Sequence, residues 1–334
     1  MGIRPLAPAL LLLVASGTLA RAAPAEARLT ILDASEGCSE FWRRAPGAPP
    51  DAQASAFETL LRTPHPTLYT PEVLGLPAGS PVAASIPARL KVMGARFQPD
   101  ADRVDEVRRT LASDLEQARA AFRRAFPDFR PTRPVYVICS VGAFDGAVRQ
   151  VEGKDTLLFG PDVIAAIRPR GFNLRPLLEH ELFHVFHESL HPDAPETIAW
   201  SLWEEGLATY VSAALNPGAS HEEISVPDDL IRRATPMIPE LSSRLLQHLD
   251  ARPGGEVYGS FFLGPPDRTD VPARNGYLIG WRIAESLGRT RSLHTLARMT
   301  PAEARTHVER ALREMAGQVP MPDAGMSVRP PSRP

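Results

Sequence analysis

The chain has 334 residues, a formal net charge of −2 and only two cysteines, Cys38 and Cys139. Its mixed charges leave no basic footprint for nucleic acid and no cationic patch for an anionic membrane, so both partner classes are excluded from the reading. The length exceeds a typical domain but suits an α+β hydrolase folded around one cleft.

Met1-Gly2-Ile3-Arg4, an apolar run from Leu6 to Leu19 and the small residues around Ala20-Arg21-Ala22 have the parts of a secretory signal peptide spanning 1–22. Pro8, Ser16 and Gly17 interrupt the run, which falls short of the ~20 apolar residues a membrane span needs. The expected protein is secreted or periplasmic, without a stable membrane anchor, and a monomer. Residues 23–100 are rich in proline; one helix is expected near Asp51 to Leu61, within a segment otherwise read as irregular, wrapping on or flanking the catalytic domain. An oxidising compartment would permit Cys38 and Cys139 to pair, but sequence does not say whether their Cα atoms come within ~7 Å.

The catalytic domain is expected over 101–316. Ala101 to Phe126 places Val104, Val107, Leu111, Leu115, Ala118 and Phe122 at helical spacing, between Asp100 and Pro127, and predicts a long amphipathic helix. Pro134 to Val141 and Asp155 to Phe159 read as strands joined by a loop or hairpin over Gly142 to Lys154. Helices are then predicted at Leu174 to Leu190, Pro195 to Ala214, Pro239 to Leu249, Asn275 to Leu287, Ser292 to Met299 and Pro301 to Met315, with a disordered tail at 317–334. The class is α+β: a small mixed sheet on an active-site helix, with a mainly helical C-terminal part.

The first of these helices carries His180-Glu181-Leu182-Phe183-His184, an HExxH pattern. Residues four apart on a helix share a face, so His180 and His184 can bind one metal ion while Glu181 holds the water that the metal activates. A catalytic zinc takes three protein ligands and keeps one open position. The metzincin register would need glycine and histidine where His187 and Leu190 stand, and His191 is one residue out of step. The remaining source is a second helix, where Glu204 and Glu205 are the candidates. His187 and His191 are expected to cap the first helix or face solvent.

Trp203-Glu204-Glu205-Gly206-Leu207-Ala208-Thr209-Tyr210 resembles the glutamate-helix signature of gluzincins such as the aminopeptidase-N-like enzymes. The stretch from Ala101 to Met315 looks most like the bacterial family described as "predicted Zn-dependent protease". The resemblance implies a zincin-like (gluzincin) fold, one Zn²⁺ held by His180, His184 and Glu205, and Glu181 as general base hydrolysing peptide bonds of a peptide or protein substrate. Glu204 stands where the family has asparagine. Thr209, one turn past the ligand, would orient the first histidine. Tyr277 would donate to the oxyanion from a downstream helix, with Tyr258 as runner-up. The alternative is a zincin-fold protein that has lost hydrolysis and keeps the cleft for binding or structural metal; an intact HExxH speaks against it, since a structural site needs no general base.

Overall fold

A computed structural model describes residues 29–131, 133–263 and 271–318; the expected leader and the tail from 319 onward lie outside them. Four strands, β1 (Ile31–Ala34), β2 (Val135–Ile138), β3 (Gly146–Val151) and β4 (Lys154–Phe159), form one sheet in the order β1-β2-β4-β3. β2 pairs in parallel with β1 and β4, while β3 runs antiparallel to β4. The class is thus α+β with a small mixed sheet. Glu152 and Gly153 join β3 to β4, both at positive φ (50° and 72°), the backbone of a tight turn whose twist matches that of its strands.

Thirteen α-helices are described: α1 (Cys38–Arg44), α2 (Pro50–Phe57), α3 (Val82–Met93), α4 (Ala101–Ala125), α5 (Pro161–Ile167), α6 (Arg175–Leu190), α7 (Ile198–Leu215), α8 (Asp228–Ala234), α9 (Ile238–His248), α10 (Gly255–Tyr258), α11 (Asn275–Gly288), α12 (Leu293–Ala297) and α13 (Pro301–Met315). Side chains alternate across a strand, so the sheet feeds two cores. Val135, Val137, Leu157 and Phe159 join the larger one with Leu115 and Phe122 of α4, Leu178 and Phe183 of α6, and most of the C-terminal helices. Phe122, Phe126, Phe129 and Phe186 pack there with ring centroids 4.7 to 6.0 Å apart. Such pairs add about 0.5–1.5 kcal/mol each beyond burial, which anchors the far side of α6.

Ile138, Leu158 and Ala147 turn the other way, against Phe41, Trp42, Phe57, Leu61, Tyr69 and Ile86. The expectation of an irregular proline-rich segment is therefore corrected: residues from Ile31 onward supply a sheet strand, three helices and most of this second core. Pro50 and Pro81 open helices here, where a missing N–H is tolerated, while Pro87 lies inside α3. Cys38 and Cys139 form a disulfide with Cα atoms 5.1 Å apart, tying α1 to the end of β2. Closing a loop of 101 residues restricts the unfolded chain by about 4–5 kcal/mol in the loop-entropy account.

Two contacts fix the helices that matter for the site. The buried Glu179 carboxylate accepts from Arg175 Nε (3.1 Å) and from Asn216 Nδ2 (2.5 Å), clamping the start of α6 to the end of α7. Gly206 of α7 lies directly on Gly280 of α11: a Cβ on Gly206 would stand 2.1 Å from the Gly280 carbonyl carbon, so the two backbones touch because neither residue has a side chain. Among the described residues, no helix is long and apolar enough to cross a membrane.

Candidate metal centre

α6 mixes polar and apolar residues around its whole circumference and is still buried over most of its length, Glu179, His180, Glu181 and His187 included, as a helix covered on several faces should be. It runs antiparallel to α7, so the HExxH face meets Glu204 and Glu205. The described residues place His180, His184 and Glu205 in one cluster. His180 Nε2 and His184 Nε2 are 3.0 Å apart, and Glu205 Oε2 lies 3.3 Å from the first and 3.4 Å from the second. Tetrahedral zinc with ligand bonds of about 2.0–2.1 Å spaces its ligands by about 3.3 Å, so the triangle has the size of a zinc site. Glu205 Oε2 is buried and has no hydrogen-bond partner. A buried carboxylate oxygen without a donor calls for a cation, and the three residues fit zinc in donor type, spacing and orphaned polarity.

The charges agree with that geometry. Burial alone would lower the pKa of His184, yet the carboxylates of Glu205 and Glu204 raise it well above the imidazole range. Glu205 would be pushed up by burial but is held below the carboxylate range by His184 and His180. The two carboxylates thus favour positive charge at this corner of α6.

Glu181 follows His180 on the helix and is 9% exposed, against β3. Burial pushes its carboxyl up to about 7, suiting a base that must both take and return a proton near neutrality. Space for it comes from Gly146: a Cβ there would lie 2.8 Å from Glu181 Cγ and 3.0 Å from Oε1. Sequence reading missed this glycine, since nothing in the motif points to a residue 35 positions upstream.

Tyr277 and Tyr258 both line the same cleft, which encloses about 650 Å³. The Tyr277 ring stacks 6.3 Å from the His180 ring. Burial first, and the Glu205 charge second, raise its phenol well above the usual range, so it stays protonated and can donate. Tyr258 is pushed up to about 12, again mainly by burial, and packs on Phe262 with ring centroids 4.8 Å apart.

Two expectations around the ligands need correction. Thr209 does not orient His180: its Oγ1 and His180 Nδ1 are both buried without a hydrogen-bond partner. Glu204 takes up a related position instead, with Oε1 3.8 Å from His184 Nδ1 and 3.9 Å from His187 Nδ1; burial would raise its pKa, but these imidazoles hold it at about 2. His187 neither caps nor faces solvent. It is fully buried, with Phe183 and Trp200 each 5.0 Å away by ring centroid, because the start of α7 covers the end of α6. His191 does end the helix, its Nε2 2.9 Å from the Ala297 carbonyl.

Comparison of the chain with protein-family models, curated proteins and solved structures gave no match.

Proposed function

We propose that the protein is an exported zinc metallopeptidase with a zincin-like fold of the gluzincin type, and that His180, His184 and Glu205 hold its metal. The observation that carries this reading is the triangle of ligand atoms, 3.0 to 3.4 Å on a side, one of them the buried and unpartnered Glu205 Oε2, with the Glu181 carboxylate next to His180 on the same helix. A zinc ion held there would supply Lewis acidity, polarising a scissile carbonyl and making water a nucleophile near neutral pH. Glu181 then accepts the water proton and returns it to the leaving nitrogen. Tyr277 donates its phenolic hydrogen to the carbonyl oxygen as charge develops.

A peptide as substrate is supported by β3. Asp145 and the first four residues of β3, Gly146 to Arg149, border the cleft. Neighbouring side chains point to opposite faces, so only the strand's edge can present them all together, and β3 ends the sheet. An open edge beside a catalytic carboxylate suits an extended peptide that pairs as an added strand. The test is metal analysis with Glu181→Gln: about one zinc per chain in both proteins, and peptide hydrolysis reduced roughly 10²–10⁴-fold in the variant. Equal rates for the two would sink the assignment.

A further inference from the structure

Two arginines line the cleft without a carboxylate within ion-pair distance among the described residues: Arg149 on β3 and Arg274 just before α11. Arg149 is occupied locally, with Nη1 donating to the Val148 carbonyl (2.9 Å) and its guanidinium 5.6 Å from the Phe144 ring. Arg274 is held differently. Its backbone is left-handed, at φ 60° and ψ 23°, a conformation that a residue with a Cβ adopts only at a cost. Its guanidinium carbon sits 4.2 Å from the Tyr277 ring centre. Asp145, the nearest acid on the strand side, is already paired with Arg168 at 3.4 Å. Arg274 and Ser225 also border a side pocket of about 280 Å³, whose lining includes Arg168 and Arg233 together with the carboxylates of Glu222 and Asp229.

The direction of the edge strand says which end of a peptide meets this cation. Antiparallel pairing, the stronger kind, runs the peptide opposite to β3. Gly146 lies against Glu181, so the scissile bond belongs at that end of the strand. The chain beyond it, on the leaving-group side, then heads past Asp145, whose partner Arg168 lines the side pocket together with Arg274. The guanidinium is 4.2 Å from the Tyr277 ring and that ring 6.3 Å from His180, which places the cation within roughly three residues of extended peptide, at about 3.3 Å each, from the metal ligands.

We propose that Arg274 recognises a carboxylate on the leaving-group side of the scissile bond, so that the enzyme takes peptides whose free C-terminus lies within about three residues of the cut. This deepens the peptidase reading and rests on it. An arginine fork matches a carboxylate in two hydrogen bonds, and in a half-buried site each is charge-assisted.

Three mixed-sequence peptide pools decide it: free C-terminal acids, the same peptides as amides, and amides carrying glutamate near the C-terminus. The free acids should be cleaved with at least tenfold higher kcat/KM than the plain amides. In Arg274→Gln the acids should fall to the level of the amides, and Arg274→Lys, which keeps charge but not the fork, should lie between. Glutamate amides matching the acids would support the carboxylate site and identify a side chain as its source. Equal cleavage of all three pools, or a preference that survives in Arg274→Gln, would overturn the proposal. Anisotropy with labelled pools and zinc-loaded Glu181→Gln repeats the comparison without turnover. Discrimination there, with no cleavage by the unaltered enzyme, removes the peptidase reading and supports the site; cleavage without discrimination does the reverse.

Discussion

Two trios of metal-ligating residue types lie on opposite faces of the sheet, each with donor atoms within 4.8 Å of one another: Cys38, Cys139 and Asp162 on the N-terminal side, and His180, His184 and Glu205 on the other. Equal compactness hides opposite chemistry. In the first, the sulfurs are bonded to each other, and Asp162 accepts from the amides of Ser140 (2.9 Å) and Gly142 (3.0 Å). In the second, Glu205 Oε2 and His180 Nδ1 are buried without a partner. Proximity of ligand types alone does not favour a cation; buried acceptors left unsatisfied beside other ligand atoms do, because a guest would offset their desolvation.

Breaking each trio should give different losses. Glu205→Gln should weaken zinc binding by more than the ~10–100-fold that follows removal of an outer partner of a ligand, as measured by competition with a chelator. Zinc affinity unchanged in that variant would remove Glu205 from the site. The double variant Cys38→Ala/Cys139→Ala should keep its zinc but unfold about 2–5 kcal/mol more easily in denaturant. Loss of metal there would mean that the two sides of the sheet are not independent. The smallest effect is in pH. His184 has its pKa raised, so at neutral pH zinc must displace a proton from it, whereas Glu205, held low, is already ionised. Below the His184 pKa, zinc affinity should fall about tenfold per unit of pH. Calorimetry in buffers of different ionisation enthalpy should show close to one proton released per zinc, and pH-independent binding across the neutral range would contradict the ion-pair account.

The helix-borne part of the site was legible because it is written in local spacing: His180 and His184 one turn apart, and Glu205 on a helix whose tryptophans mark its buried side. What sequence left out is what comes from elsewhere in the fold. β3 was read as a loop or hairpin connection because GAVRQV opens on glycine and holds only two β-branched residues; its strand form depends on pairing with β4. Proline density hid α1 and α3, although several prolines there mark helix starts. Arg274 was one arginine among many until α11 carried it beside Tyr277. His187 was misjudged because its exposure depends on α7, which a single-helix reading does not include.

The contact between Gly206 and Gly280 also bears on engineering. One glycine follows Glu205, the proposed third ligand, and the other lies three residues beyond Tyr277, so the carboxylate and the phenol ride on two backbones pressed together without side chains between them. Their separation is thus set like a machined gap, with no adjustable part. Anyone moving this centre into another scaffold would have to transplant the glycine pair along with the five polar residues, or accept a tyrosine out of reach.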